Sequence, residues 1–437
     1  MSGREARSTV EAVWRMESAR IVGALARFTG DFSLAEDLAQ EALAEALVSW
    51  SVSGIPTSPT GWLLTAGRRR AIDLFRRRAA LDNKYALLAR ELDTDSPGAD
   101  ALYDPQAIND DTLALVFIAC HPVLSKPARI ALTLRVVGGL TSEEIARAFF
   151  VPVATIQARI TRAKKTLAAA RVPFAVPDAA DRAERLGTVL QVLYLIFSEG
   201  SFASSGDEWI RRELSNEGIR MTRALVRVCP EPEVFGLLAL MELTAARFPA
   251  RVDAAGRPVL LEQQNRRLWD QSAVRRGRAA LERATAAGRG LGPYGLQASI
   301  AECHAVAPSV TETDWPQIVL LYEALGRLTP SPVVDLAHAV AVSMATGPAA
   351  GLAMVDAIAS RNELTTTHLL HSVRGEMLLR AGRIHEAHQS LQRAVELCTN
   401  AVERGELERK IRETIATEQH SSTSDEGPRQ SKEFTHG

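Results

Sequence analysis

Thr155, Arg159 and Arg162 recur along Leu140 to Leu167 (LTSEEIARAFFVPVATIQARITRAKKTL) at spacings that put them on one side of a helix, with Lys165 beside them. Guanidinium and ammonium groups in such a row bind polyanions. Arg forks match phosphate oxygens or guanine edges, and Lys adds a point charge. A second cluster lies in Gly61 to Ala79 (GWLLTAGRRRAIDLFRRRA), where Arg68, Arg69, Arg70, Arg76, Arg77 and Arg78 face Asp73 alone. Trp62, Thr65, Ala66, Arg69 and Arg76 share one side of that helix. One exposed aromatic among arginines suits a stacked base and neutralised phosphates in single-stranded or melted DNA. A third set has the opposite sign. Asp37, Gln40, Glu41 and Glu45 line the outer side of Asp31 to Trp50 (DFSLAEDLAQEALAEALVSW), where they would repel phosphate and suit a basic protein partner.

The elements that carry these residues are helices. In the central stretch Thr141 or Ser142 caps a first helix with Glu143 and Glu144 in its opening turn. Ile145, Ala146, Ala148 and Phe149 form its apolar face, and Val151-Pro152 interrupts it. In the second helix Ile156, Ile160, Ala163 and Leu167 make a single apolar stripe. The pattern is that of a helix-turn-helix whose second helix enters the major groove. An ordinary amphipathic helix pair with a solvated cationic face shares this charge pattern. The Arg-rich helix, capped at Ser58 or Thr60, turns Leu63, Leu64, Gly67, Ala71, Leu74 and Phe75 inward.

Nearly every periodic segment of the 437 residues has a helical period, so the fold class is all-α. Two small helical domains, at 10–80 and 111–171, flank an acidic linker at 81–110 in which Glu91 to Asp111 holds seven carboxylates and no Lys or Arg. After a break with Pro173 and Pro177, a long helical region covers 178–417, and a polar tail at 418–437 is expected to be disordered. In the long region Gly347, Leu352 and Ala359 align with Gly382, Ala387 and Ala394, each 35 residues on, a period near that of tetratricopeptide (TPR) repeats. The apolar run Val189 to Phe197 (VLQVLYLIF) has to be buried.

With 51 Lys and Arg against 52 Asp and Glu, the net charge is −1, so nucleic-acid binding here requires segregated charge, and the charge is segregated. Cys120, Cys229, Cys303 and Cys398 form no CxxC and read as reduced thiols in a cytoplasmic protein. In Cys120-His121 and Cys303-His304 the neighbouring side chains diverge by about 100° on a helix, so no metal site or cofactor is expected. No apolar run reaches membrane-spanning length. Neither HExxH nor GxSxG occurs, Tyr194 and Glu199 read as part of a buried helix, and the chain is not expected to be an enzyme. Arg266, Arg267, Arg275, Arg276 and Arg278, with Trp269, read as a solvated basic face.

AEDLAQEAL, then WL with RRRAIDLFRRR, then an acidic linker, then LTSEEIARAF and ATIQARITRAKKTL resemble, in that order, the extracytoplasmic-function (ECF) group of bacterial sigma factors. The resemblance spans about Ser18 to Leu167. Tyr194 to Gly200 (YLIFSEG), Phe235 to Glu242 (FGLLALME), Leu291 to Ala301 (LGPYGLQASIA) and the TPR-like end extend it to the subgroup with a long C-terminal extension. It implies that Asp37, Gln40 and Glu41 dock on core RNA polymerase, and that the loop from Ser51 to Thr60 holds a flipped base of the −10 promoter element. Trp62, Arg69 and Arg76 would lie on the helix contacting that element. Thr155, Gln157, Arg159, Arg162 and Lys165 would read or clamp the −35 element, and the linker would thread the RNA channel. A regulatory protein at the TPR-like region, with control of activity in cis, is a further expectation. A helix-turn-helix regulator with a sensing domain is the alternative, but it leaves the Arg-rich helix, the acidic helix and the linker without a purpose.

Overall fold

The computed structural model describes residues 3–79, 105–149, 151–201, 212–253, 259, 261–288, 290–399 and 401–424, and these contain helices and connecting turns with no β-strand. They divide into two compact units, the first holding residues 1–200 and 212–234 and the second the remainder.

The first unit begins with α1 (Gly3–Thr29), α2 (Phe32–Ser53) and α3 (Pro59–Ala79). α1 starts several residues before the expected Val10. Gly30, at φ +66°, turns the chain, and Asp31 caps α2 by accepting from the Ser33 and Leu34 amides at 2.8 and 3.1 Å. The inner face of α2 is mostly alanine (Ala35, Ala39, Ala42, Ala46), so α1 can lie close along it and bury Ile21, Val22 and Leu25. α3 opens with proline at its first position, where a missing N–H costs nothing. It buries Leu63, Leu64, Ala71 and Phe75, as its spacing requires. Ala66, expected on the outer side, is buried as well. At Gly67 a Cβ would stand 2.8 Å from Leu25 Cδ1, and this close approach of α1 broadens the covered face of α3.

Most of the acidic linker, 81–104, lies outside the described residues; its last residues already belong to α4 (Pro105–Ala119). α4 lies against α1, where the absent Cβ of Gly23 leaves room for the Asp111 backbone. α5 (Lys126–Val136), α6 (Ser142–Ala148) and α7 (Val153–Ala169) follow. Thr141 is the cap of α6. Its hydroxyl accepts from the Glu144 amide at 3.1 Å, and Glu144 accepts from the Thr141 amide at 2.8 Å, completing a capping box. Ile156, Ile160, Ala163 and Leu167 are the buried residues of α7, the stripe that the sequence lays out.

The packing does not divide at the proline-containing break. α8 (Ala179–Ser201) and α9 (Arg212–Val228) join the first unit, so the helical region expected to start a new domain at residue 178 contributes two helices to the old one. The cause is the run from Val189 to Phe197. Val189, Leu190, Val192, Leu193, Ile196 and Phe197 are all buried, and Gly218 of α9 lies close against Phe197, where a Cβ would stand 3.2 Å from the Phe197 Cβ. α9 is anchored to the turn before the helix-turn-helix by Arg220, which donates to the Gly138 carbonyl at 3.0 Å.

The second unit contains all but the first three residues of α10 (Pro232–Ala245), and α11 (Gln271–Ala286), α12 (Pro293–Val306), α13 (Trp315–Leu328), α14 (Pro332–Thr346), α15 (Pro348–Ser360), α16 (His368–Arg380), α17 (Ile384–Leu397) and α18 (Ala401–Ser424). Consecutive helices from α11 to α18 pack on one another, as in a helical repeat array. The two glycines of the 35-residue period sit at equivalent corners: Gly347, φ +110°, between α14 and α15, and Gly382, φ +72°, between α16 and α17. Both conformations exclude a Cβ at little cost only for glycine. α18 carries helix to Ser424, past the expected end at 417, because no proline or glycine stands between that end and Gly427. Residues 425–437 lie outside the described residues.

Candidate nucleic-acid and polymerase interface

The apolar stripe of α7 fixes which side of the helix faces out. Gln157, Arg162 and Lys165 are exposed, and Thr155 and Arg159 are half-buried. Arg162 donates from Nε to the Ala158 carbonyl at 3.2 Å. None of Arg159, Arg162 and Lys165 has a carboxylate partner among the described residues. Guanidinium groups held on a rigid helix without internal counter-ions are suited to an external anion.

On α3, Arg68, Arg69 and Arg70 are engaged within the molecule. Arg69 is ion-paired with Glu45, and Arg70 bonds Glu45 at 2.9 Å and Glu41 at 2.8 Å. Partial burial works against the Glu45 charge, but the hydrogen bonds from Arg69 and Arg70 outweigh it and hold the carboxyl below its ordinary pKa. Arg68 lies over the Phe28 ring at 4.9 Å, its pKa lowered by burial and by Arg27. Trp62 is not the exposed aromatic that the sequence suggested. It is half-buried, with its ring edge-on to Trp50 at 5.6 Å, because the end of α2 covers it. Arg76 is exposed. The acidic face of α2 is therefore partly spent inside the molecule: Glu41 and Glu45 on α3, and Gln40 half-buried with Nε2 inside and lacking a hydrogen bond.

Asp37 is spent in another direction. Lys164 of α7 bonds Asp37 at 3.0 Å and also Glu36, whose second oxygen accepts from Arg135 of α5 at 3.3 Å. Glu36 is 4 % exposed. Burial opposes the Lys164 charge, but Glu36 and Asp37 raise its pKa above the ordinary lysine value. This cluster clasps the helix bearing the proposed docking residues to the helix bearing the proposed DNA readers, within one compact unit. The sequence reading passed over Glu36 and Lys164. A signal existed for the first: Phe32, Glu36 and Ala39 follow i, i+4, i+7, so Glu36 stands on an apolar stripe and needs a cation. It also passed over Leu47, Val48 and Val52, exposed apolar residues at the end of α2 beside the loop expected to hold a base.

α8 abuts the other side of the reader. A cavity of 330 Å³ lies between α8 and the helix-turn-helix, lined among others by Ile145, Phe149, Ile156, Arg159, Leu195 and Glu199. Arg159 and Glu199 share its wall.

In the second unit, the segment read as a solvated basic face is solvated at Arg267, Arg275, Arg276 and Arg278, which are exposed, while Arg266 is half-buried. Trp269 is buried with Arg247 and Arg266 over its ring at 5.4 and 4.9 Å. Arg276 pairs with the buried Glu242 at 3.0 Å, and Arg278 with Glu302 at 2.7 Å. Burial, reinforced by Arg266, lowers the Arg247 pKa to about 10. A row of arginines in sequence does not reveal the aromatic rings and carboxylates that another helix brings to it.

Residues 14–80 match the sigma-70 region 2 family and residues 115–167 the sigma-70 region 4 family. Those two modules, in that order, define the class: a sigma factor, a DNA-binding and polymerase-binding protein of transcription initiation. Residues 185–285 match a family of unknown function, DUF6596. An uncharacterized protein of Rhizobium meliloti is 45% identical over 388 residues, covering 87% of this chain and 90% of that one. A probable ECF RNA polymerase sigma factor of Mycobacterium tuberculosis, SigI, is 25% identical over 173 residues, covering 40% of this chain and 59% of the relative. No solved structure matches. The chain belongs to the ECF-type sigma factors, in the form with a large helical C-terminal extension. No helix among the described residues is long and apolar enough to cross a membrane.

Proposed function

We propose that this protein binds core RNA polymerase in the bacterial cytoplasm and directs initiation at promoters with a −10 and a −35 element. The observation that carries the reading is the contrast on α7, whose apolar stripe is fully buried while Arg162 and Lys165 project outward without acidic partners. Thr155, Gln157, Arg159, Arg162 and Lys165 read or clamp the −35 element; Trp62, Arg69 and Arg76 serve the −10 element; Asp37, Gln40 and Glu41 meet polymerase. The helical array of the second unit serves as a surface for a regulatory protein.

The activity is controlled in cis. Elements about 25 base pairs apart are separated by about 85 Å of duplex at 3.4 Å per base pair. Modules clasped through Glu36, Asp37, Arg135 and Lys164 do not reach both at once, so engagement requires the clasp to open. From Ala79 to Pro105 the chain has 26 steps (105 − 79), which fully extended span at most about 90 Å, enough for the opened state. The start of the C-terminal extension supports the closed state by packing α8 against the helix-turn-helix beside Arg159.

The test is in vitro transcription with purified core polymerase on promoters selected from a random library. Full-length protein should copurify with polymerase and give promoter-dependent transcripts. Tight operator binding by the protein alone, without polymerase association, would replace this reading with a conventional regulator. Lys164→Ala in the full chain should raise promoter-dependent transcription several-fold. Unchanged output from a folded Lys164→Ala protein would remove the cis restraint and leave the sigma role standing.

A further inference from the structure

Far from the DNA-binding modules in sequence, three helices of the second unit bring a His, a Cys and a Glu together. His368 is the first residue of α16, Cys398 caps the C-terminus of α17, and Glu403 lies in the first turn of α18. His368 Nε2 and Glu403 Oε1 are 3.0 Å apart, and one imidazole nitrogen, one carboxylate oxygen and the Cys398 Sγ all lie within 4.8 Å of one another. We propose that His368, Cys398 and Glu403 form a site for one divalent transition-metal ion, zinc by preference, with a fourth position left for water or a partner's ligand.

The donor set selects the ion class. Imidazole, thiolate and carboxylate together suit a borderline-soft cation, whereas calcium and magnesium take oxygen ligands alone. Bond lengths of about 2.0–2.3 Å in a tetrahedron place ligand atoms about 3.3–3.7 Å apart. The nitrogen and oxygen then separate by a few tenths of an ångström and the sulfur closes by about 1 Å at most, movements within the reach of side-chain torsions. An ordinary hydrogen-bonded His–Glu pair accounts for two of the three groups. The thiol brought alongside by a third helix goes beyond it.

Access and protons are also in order. Cys398 is buried with Leu391, Ala394 and Leu407, while the side chains of His368 and Glu403 keep 20% and 29% of their exposure. The ion therefore enters from the His–Glu side, and its open position faces the same way. Binding releases the thiol proton and any proton shared between the imidazole and the carboxylate; no redox change is involved. The site would fasten α18 to the α16–α17 hairpin, a junction already held by the Lys410–Glu376 ion pair and by Arg404 donating to the Cys398 carbonyl. Sequence spacing conceals it, since 30 residues separate the His from the Cys (398 − 368).

The experiment uses full-length protein stripped with a chelator and titrated with cobalt(II), then zinc(II), at near-neutral pH. One equivalent of cobalt should bind with a thiolate-to-cobalt charge-transfer band, zinc should displace it, and zinc should raise the melting temperature. Cys398→Ser should abolish that band, and Glu403→Gln should weaken cobalt binding at least tenfold while leaving the helical circular dichroism intact. Glu403→Gln keeps the test informative if Cys398→Ser does not fold. Absence of stoichiometric binding, or a charge-transfer band and affinity unchanged in the variants that fold, would overturn the proposal. Neither result depends on polymerase or promoter activity.

Discussion

α3 and α7 are both arginine-rich helices of the first unit, yet their charges are in different states. On α3, Arg69 and Arg70 are tied to Glu45 and Glu41 of the neighbouring helix. On α7, Arg159, Arg162 and Lys165 have no acidic partner among the described residues, and the single lysine that does, Lys164, reaches back to Glu36 and Asp37. A count of basic residues ranks α3 above α7 as a polyanion site. The tertiary structure reverses the order, because a guanidinium already neutralised by a carboxylate has to give up that pair before it can bind phosphate.

The most severe test of this comparison is the α7 scaffold itself. Ile160→Asp puts an unpaired charge into the buried stripe and should unfold the helix-turn-helix, seen as loss of a cooperative transition in circular dichroism and loss of all promoter contact. Glu36→Ala comes next. It leaves Lys164 and Arg135 partly buried with their shared carboxylate gone, and should cost about 3–5 kcal/mol in urea unfolding. A cost near zero would mean that the clasp is a surface feature.

A half-buried histidine in the second unit provides a pH test of comparable size. Burial, with Arg247 and Arg266 nearby, lowers the His304 pKa from 6.5 to about 4. The folded state therefore binds fewer protons than the unfolded state between those values. The contribution is fully present above pH 6.5 and is lost as the pH falls through the folded value, about 3 kcal/mol in all. His304→Phe should flatten the urea-midpoint profile over that window; an unchanged slope would assign the acid sensitivity to other groups.

Smaller effects separate the two helices directly. Arg162→Ala should cost about 1–3 kcal/mol at its own base pair if it reads a base, or weaken all sequences alike and flatten the salt slope if it holds phosphate. Binding assays across single-base promoter variants distinguish these, and normal binding throughout would exclude α7 as the reader. Glu45→Ala should change stability by only about 0–1 kcal/mol, since its pairs with Arg69 and Arg70 are substantially exposed. It should also free Arg69 for DNA, so slightly tighter DNA binding is expected from removing an acidic residue.

The sequence by itself determined the helices and their inner faces. The α7 stripe, the Thr141–Glu144 capping box, the burial of Val189 to Phe197 and the glycine corners at 347 and 382 follow from local periodicity, caps and backbone preferences, which act over a few residues. Local rules could not tell which outward-facing side chains remain available. Trp62 turned out to be covered by Trp50, Ala66 to be enclosed by the approach at Gly67, and Arg266 to lie half-buried over the Trp269 ring. They also could not show that α8 and α9 join the DNA-binding modules, or that Glu36 meets Lys164 across 128 residues. Partners so far apart in the chain are chosen by packing, because the burial of apolar faces decides which helices touch and only then which charges meet.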